Sequence, residues 1–416
     1  MTLLQILRWL LLLAELLIAL PITYLCILTT AAILETPKRK RLDKKHSSAC
    51  EATEANFAIL IPAHNEEVLL PDLCKSLAAL DYPKDKYTVY IVADNCTDNT
   101  AQLAQEIGWV RVFERFDETK RSKGHAISWL MHELEEKQLS HDAYIIIDAD
   151  SIVDGNFLKA MARELARGSQ VMQADSTVSN ALESPSTIMR LIAISLFYHI
   201  RALGRNALGG SSTLNGNGMC FSRTILEQYP WQAHSLSEDY EHYLNLVMNG
   251  ELVRYVPDAI VRSYMSTSFK QMRTQDIRWE SRGSSSSTWQ IAKQLVRTGI
   301  RDRNFVCIEA VFELLTPPLS FLAGSSVLLL IASLLLGSPA ALLVDLLLLV
   351  GLCYYVGTGI HFLHLPKSAY KVFLYVPGFI IWKLWVILVL SRSKKHTSEW
   401  IRTSRPTTNV QSIQRK

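Results

Sequence analysis

The chain has 416 residues, of which 49% are hydrophobic, a mean hydropathy of +0.13 and a net charge of only +4. That charge gives nucleic-acid binding no support, and the apolar excess is concentrated at the two ends of the chain. The seven cysteines (26, 50, 74, 96, 220, 307 and 353) show no C-x-x-C spacing, which argues against a disulfide framework or a zinc site and fits a reducing compartment.

In chain order, Leu10 to Leu34 is long enough for one membrane helix, with Pro21 as a kink point. The apolar run from Leu3 is too long for a signal peptide and lacks a cleavage site, so residues 1–35 read as a retained anchor. Residues 36–55 read as a polar connector whose Lys38, Arg39, Lys40, Arg41, Lys44 and Lys45 mark the cytoplasmic side. From Phe57 the pattern becomes α/β. Strands are predicted at 57–62, 87–92, 110–113 and 143–147, alternating with helices at 71–80, 98–107 and 122–137. Such alternation implies a parallel sheet covered on both faces. Residues 186–205 mix apolar side chains with Arg190, His199, Arg201 and Arg205, which suits a helix at a membrane surface or one facing a core.

The domains predicted are thus the anchor (1–35), the connector (36–55), an α/β catalytic domain with interfacial helices (56–300), a C-terminal membrane region (301–391) and a basic cytoplasmic tail (392–416). Three apolar stretches lie in the membrane region, at 317–336, 340–363 and 372–390. The third is preceded by Lys367 and Lys371, followed by Arg392, Lys394 and Lys395, and contains Pro377 and a central Lys383. It is expected to lie along the interface, which leaves two spans after the catalytic domain and one before it; the alternative is a full span with Lys383 facing protein. Trp400, Arg402 and Arg405 would then sit on the catalytic side.

In open parallel sheets, ligands bind beyond the carboxyl ends of the strands. Three polar clusters occupy such ends: Ala63-His64-Asn65-Glu66-Glu67, Ala93-Asp94-Asn95-Cys96-Thr97-Asp98 and Asp148-Ala149-Asp150. Carboxylates spaced by one residue at a strand end can hold a divalent cation against a diphosphate. Each cluster alone has a plainer reading, since Asn95 or Thr97 can simply cap a helix. Together they outline a nucleotide cleft. Lys123-Gly124-His125-Ala126 adds a cation and a glycine at a helix start, suited to a phosphate, although a surface lysine is the plain alternative.

The motifs I-P-A-H-N-E-E, V-A-D-N-C-T-D-N-T, K-G-H-A, D-A-D, S-E-D and Q-D-I-R-W follow one another in the order seen in membrane-bound family 2 glycosyltransferases. The chain resembles that group, which includes cellulose, chitin and hyaluronan synthases, poly-N-acetylglucosamine synthases and ceramide glucosyltransferase. The resemblance covers roughly residues 55–300. It implies a GT-A fold and inverting transfer of a sugar from a nucleotide diphosphate donor, most often UDP-linked. By motif, Asp94 would contact the nucleoside, with Ala63, Asn65 and Glu66 beside it. Asp148 and Asp150 would hold the diphosphate through Mg²⁺ or Mn²⁺, with Lys123 close by. Asp239 would be the general base, next to Glu238, and Gln275, Arg278 and Trp279 would line the donor and acceptor site. The chain departs from the group at Ser237, where threonine is common. It also departs at Gln173-Ala174-Asp175, expected after a strand where relatives carry a Q-x-R-like element; Asp175 is assigned to substrate on that basis. No regulatory domain is expected after the tail.

The chemistry agrees with that pattern. Expulsion of a diphosphate needs positive charge from a metal and Arg278 rather than a general acid. A carboxylate on the opposite side must take the acceptor's proton. Trp279 offers an apolar face to a sugar, or a buried anchor. Asn217-Gly218 allows close approach of an acceptor, or makes a plain turn. The leading expectation is a polymerising enzyme building a β-linked polysaccharide at the cytoplasmic face of a plasma or inner membrane. The alternative is transfer of one sugar to a membrane lipid. A catalytically dead scaffold is the third reading, disfavoured by the intact Asp148, Asp150, Asp239 and Arg278.

Overall fold

The apolar runs between residues 57 and 147 form one half of an eight-stranded sheet. The structure is a computed structural model that describes residues 2–46, 55–235, 237–265, 267 and 285–392. Strand β1 (Phe57–Ala63) is buried along its whole length and pairs in parallel with β2 (Tyr87–Asp94) and β4 (Ala143–Ile146). Strand β3 (Arg111–Arg115) adds in parallel to β2. The unbroken apolar sequence of β1 is what a strand covered on both faces requires. Helices α2 (Leu70–Ala78), α3 (Thr100–Glu106) and α4 (Lys123–Glu136) make the crossovers. Leu73 and Leu77 of α2 join Ile59, Ile61, Val89 and Ile145 in the core, together with Phe157 and Met161 of α5 (Phe157–Ala166).

Beyond β4 the sheet turns mixed. Strands β5 (Ser151–Val153), β6 (Val171–Val178), β7 (Met219–Ser222) and β8 (Val253–Ser263) complete the order β3-β2-β1-β4-β7-β6-β8-β5. Strand β7 runs antiparallel to both β4 and β6. The parallel arrangement expected from alternation therefore holds for β1–β4 and again between β6 and β8 but fails at β7 and β5, because a strand's own apolar pattern does not encode the direction of its neighbour. Gln173, Ala174 and Asp175 lie inside β6 rather than after a strand. Strand β6 continues past a bulge at which its pairing with β8 jumps from Val256 to Ile260. Helices α8 (Arg223–Gln228) and α9 (Glu238–Met248) follow β7.

The chain divides into two compact units, and this sheet belongs to the one whose described residues fall within 43–190 and 211–282. The other contains residues 1–42, 191–210 and 283–396. Its elements include α1 (Leu3–His46), the end of α6 (Pro185–Ile194), a π-helical segment (Ser195–Ile200) and α7 (Arg201–Ala207). Helices α10 (Ser285–Arg301), α11 (Phe305–Leu315), α12 (Leu319–Leu335), α13 (Pro339–Leu363) and α14 (Val376–Arg392) complete it. Helix α1 continues beyond Leu34 through the basic run, with Pro21 and Pro37 inside it.

Among the described residues, Leu3–Arg39, Pro185–Ala207 and Pro339–Leu363 are long and apolar enough to cross a membrane. Helices α11 and α12 also qualify as a pair, bent by 62° at Thr316-Pro317-Pro318, where the prolines withhold helical N–H groups. The third C-terminal stretch begins as a 3₁₀ segment (Lys367–Tyr375) and becomes the 17-residue α14, in which the Lys383 ammonium lies 5.9 Å from the Phe379 ring and 5.7 Å from that of Trp382.

Charged side chains cross-link this apolar unit. Arg205 of α7 is bidentate to Glu309 of α11, Nε to Oε1 at 2.6 Å and Nη2 to Oε2 at 2.8 Å. One helical turn earlier, Arg201 donates to Glu313 at 3.1 Å and to the Tyr355 hydroxyl at 3.0 Å. Tyr24 of α1 donates to Glu309 at 2.8 Å.

Candidate active site

Because β2, β1 and β4 are adjacent and parallel, their three polar clusters emerge side by side at one edge of the sheet. Asn65 and Asn95 open the first two loops with left-handed backbones (φ 55° and 48°), a conformation that asparagine tolerates better than most residues. The Asn65 side-chain oxygen accepts from the Thr97 amide at 2.7 Å and from the Asp98 amide at 3.3 Å. The Glu66 amide donates to Thr100 Oγ1 at 2.8 Å, and His64 Nδ1 lies 2.7 Å from the Asp94 carbonyl oxygen. The loops after β1 and β2 are thus one locked platform.

Asp94 is 1% exposed, and its Oδ1 accepts from Arg115 Nη1 at 2.6 Å and from Asn95 Nδ2 at 3.0 Å. Arg115 continues to Asp117 at 3.0 Å and to the Lys120 carbonyl at 3.1 Å. Burial pushes the Asp94 carboxyl above the usual aspartate range, and Arg115 counteracts that push. The sequence reading missed Arg115. Its signal was positional: in the parallel register, Arg115 is the β3 residue directly opposite Asp94.

Lys123, at the first turn of α4, is the meeting point of the remaining motifs. Its ammonium lies 2.5 Å from Asp148 Oδ1 and 3.8 Å from Glu238 Oε1, and it donates to the Gly216 carbonyl. Burial works against its charge, but Asp148, Glu238 and Asp239 outweigh burial and hold its pKa above the ordinary lysine value. Glu238 and Asp239 occupy the first turn of α9, where the helix dipole favours carboxylates. Asp239 Oδ1 accepts from the Tyr240 amide at 2.8 Å. Gly216 (φ +83°) covers this carboxylate: a Cβ there would stand 3.3 Å from Asp239 Oδ2 and 3.5 Å from the Lys123 ammonium.

Asn217 has an inward role that the sequence did not disclose. Its oxygen accepts from the Asp148 amide at 3.1 Å, while its nitrogen donates to Ser151 Oγ at 2.8 Å and Ser263 Oγ at 2.9 Å. Gln173 fastens the same loop, donating to the Asn217 carbonyl at 2.7 Å and accepting from the Asn215 amide at 3.1 Å. Gly218 (φ +70°) tolerates no side chain, since a Cβ would come within 2.6 Å of Ala174 Cβ. The Gly216-Asn217-Gly218 loop therefore positions the D-A-D segment. Asp175 is half-buried and accepts from the Tyr255 hydroxyl at 2.7 Å.

Next to Lys123, the His125 ring stacks on His234 at 4.3 Å, and Ser122 Oγ lies 2.7 Å from His125 Nδ1. Burial and the facing His234 push the His125 pKa down. Asp148 and Asp150 are half-buried at the end of β4. Among the described residues no three His, Cys, Asp or Glu side chains converge on one point. Two such carboxylates nonetheless suit Mg²⁺ or Mn²⁺, hard cations that complete their shells with phosphate oxygens and water. Gln275, Arg278 and Trp279 lie outside the described residues.

Comparison with known proteins supplies the wider frame. The family described as "Glycosyltransferase like family 2" matches residues 55–281. A beta-monoglucosyldiacylglycerol synthase from Nostoc sp. is 30% identical over 193 residues, 44% of this chain and 39% of that protein. A poly-beta-1,6-N-acetyl-D-glucosamine synthase from Staphylococcus aureus is 23% identical over 249 residues, 59% of this chain and 58% of that one. Both alignments cover less than two thirds of the relative. A mannosyltransferase from Pyrobaculum calidifontis, solved in complex with GDP-Man and Mn²⁺, is 16% identical and covers 90% of this chain and 100% of its own, with a TM-score of 0.48.

Proposed function

The chain belongs to the glycosyltransferase-like family 2, and on that premise we propose that it transfers a sugar from a UDP-type nucleotide donor to the hydroxyl of a membrane lipid, with inversion. One observation carries the catalytic reading: Lys123 stands 2.5 Å from Asp148 and 3.8 Å from Glu238, so the K-G-H-A, D-A-D and S-E-D motifs form a single site. The platform of Asn65, Glu66 and Asp94, with Ala63 at its root, receives the nucleoside. A divalent cation held by Asp148 and Asp150 would neutralise charge that develops on the leaving diphosphate.

The chain's own groups do the rest. The acceptor oxygen attacks the anomeric carbon as the bond from that carbon to the diphosphate oxygen breaks. Asp239 accepts the hydroxyl proton, and Gly216, which covers it, adds no side chain to the barrier between carboxylate and acceptor. Lys123 and Arg278 balance the departing charge, while Gln275, Trp279 and Asp175 bound the sugar and acceptor. By length and composition the apolar helices support a membrane location, and the basic run after the first of them supports a cytoplasmic face for catalysis.

The lipid acceptor is favoured by the 30% identity to a beta-monoglucosyldiacylglycerol synthase and by the three or four candidate spans among the described residues. A growing polysaccharide is the second reading, favoured by the poly-N-acetylglucosamine synthase, whose alignment covers more of the chain. The test is to incubate detergent-purified enzyme with a panel of UDP-sugars, Mn²⁺ and mixed lipids. Label in the organic-extractable fraction is the expected result; label only in polymer would move the assignment to the second reading.

A further inference from the structure

A cleft of about 620 Å³ lies between the end of the α1 span and the last turns of α13. The two helices touch just before it. A Cβ on Gly351 would come within 2.9 Å of Ile22 Cγ2, and Thr30 Oγ1 lies 3.0 Å from the Tyr354 hydroxyl. Past that point they part, and the cleft opens between Ile33, Thr36 and Pro37 on one side and Gly357, Thr358 and His361 on the other.

Two features of its wall are unexplained by the protein's own packing. A glycine inside a helix is destabilising relative to alanine, so it usually marks a close approach. Gly351 and Gly359 of α13 fit that rule, the second because a Cβ there would stand 2.4 Å from Leu196 Cδ2. Gly357 does not fit it: a Cβ there would meet nothing within 4 Å. Pro37, for its part, has no N–H to give the Ile33 carbonyl one turn earlier, so that acceptor loses its helical donor at the cleft wall. The wall thus offers an apolar surface, hydroxyls, an imidazole and a backbone acceptor, with no Asp, Glu, Lys or Arg among its residues. Lys38 and Arg39 follow Pro37 in sequence but do not line it.

We propose that this cleft is a binding site for an uncharged, hydroxyl-bearing glycerolipid of the diacylglycerol type. Its volume is within the usual range for small-molecule sites, roughly 300–1,000 Å³. An acyl chain fills the apolar part that water cannot satisfy, and the free hydroxyl finds acceptors in a rim that carries no charge among its described residues. The site lies wholly within the helical unit, and its use in catalysis rests on the lipid-acceptor reading above.

The test uses full-length enzyme in phosphatidylcholine nanodiscs with a diacylglycerol carrying a photoreactive diazirine in one chain, and a phosphatidic acid with the same chain as control. Adducts are mapped by peptide mass spectrometry. Diacylglycerol adducts should concentrate at residues 33–37 and 353–362, should be competed by unlabelled diacylglycerol, and should drop about tenfold in Gly357→Trp, whose side chain enters open space. Thr358→Val, nearly isosteric, carries the same comparison if Gly357→Trp does not accumulate. Equal labelling by both lipids, labelling spread over all lipid-facing helices, or labelling unchanged in the variants would overturn the site. The catalytic reading is scored separately by product: lipid-linked sugar without cleft adducts removes the cleft alone, whereas cleft adducts with polymeric product remove the lipid-acceptor reading alone.

Discussion

One cluster of charge in each unit is built on the opposite principle to the other. In the helical unit two arginines, Arg201 and Arg205, meet two glutamates, Glu313 and Glu309, at the same one-turn spacing, and hydroxyls of Tyr24 and Tyr355 take part. In that cluster charge is matched pair by pair. In the sheet unit a single cation, Lys123, faces Asp148 and Glu238, with Asp239 close enough to perturb it. Among the described residues that cluster carries more negative than positive charge. A matched lattice has nothing left to bind and serves to hold helices in register. An unmatched cluster is poised for a ligand that brings the missing charge or for a proton in transit.

The contrast can be broken first at its catalytic pole. Asp239→Asn keeps the shape and removes the base, so turnover should fall by roughly 10²–10⁴ while nucleotide affinity, read by calorimetry, stays within a fewfold. Wild-type turnover would transfer the proton to another group, Glu238 first. At the structural pole, Glu309→Ala strands the Arg205 guanidinium, and thermal unfolding in detergent should register a loss of about 3–5 kcal/mol. Replacing both partners, Arg205→Met with Glu309→Leu, should recover most of it; if the double variant is no better than the single one, the lattice is more than a pair of matched charges.

Arg278→Ala sharpens the division further, with an expected loss of about 10²–10³ in turnover and an unchanged melting temperature. A variant that unfolds instead would place Arg278 with the structural arginines. The smallest effect concerns His242 of α9, whose ring lies 4.8 Å from that of Trp231 and 5.3 Å from that of Phe221. Burial pushes its pKa down from 6.5 to about 4. The folded state therefore holds a neutral ring that the unfolded chain protonates, so stability is complete above the ordinary histidine pKa and declines as pH falls toward the folded value. At about pH 5 the loss should be roughly 2 kcal/mol. His242→Phe should flatten the melting temperature between neutral pH and that point, and an equally steep curve in the variant would assign the acid sensitivity elsewhere.

What the sequence disclosed follows from range. The parallel half of the sheet was legible because each apolar run from Phe57 to Ile147 is local, and so was the placing of Asn65, Asp94 and Asp148 at strand ends. The mixed half was not, because β7 inserts between β4 and β6 from a distant segment. Nor was the pairing of Arg201 and Arg205 with glutamates more than a hundred residues away, although their shared four-residue spacing was visible. Asn217 read as an approach to the acceptor or a plain turn, since nothing local reveals that its carboxamide bridges Asp148, Ser151 and Ser263.

The π-helical segment at Ser195–Ile200, immediately before the two arginines, has a consequence for how this protein tolerates change. A π segment accommodates an extra residue within one wide helical turn, so the residues beyond it keep their angular register. Tightening it to ordinary helix with the residue count unchanged would swing Arg201 and Arg205 by about 100° around the axis, off the glutamates of α11, whereas losing one residue at the same time would leave them near their places. The segment behaves as an angular vernier. A single-residue deletion there should be absorbed more readily than one in the helices on either side, while Leu196, whose carbonyl accepts from Tyr355 and whose side chain packs against Gly359, constrains composition.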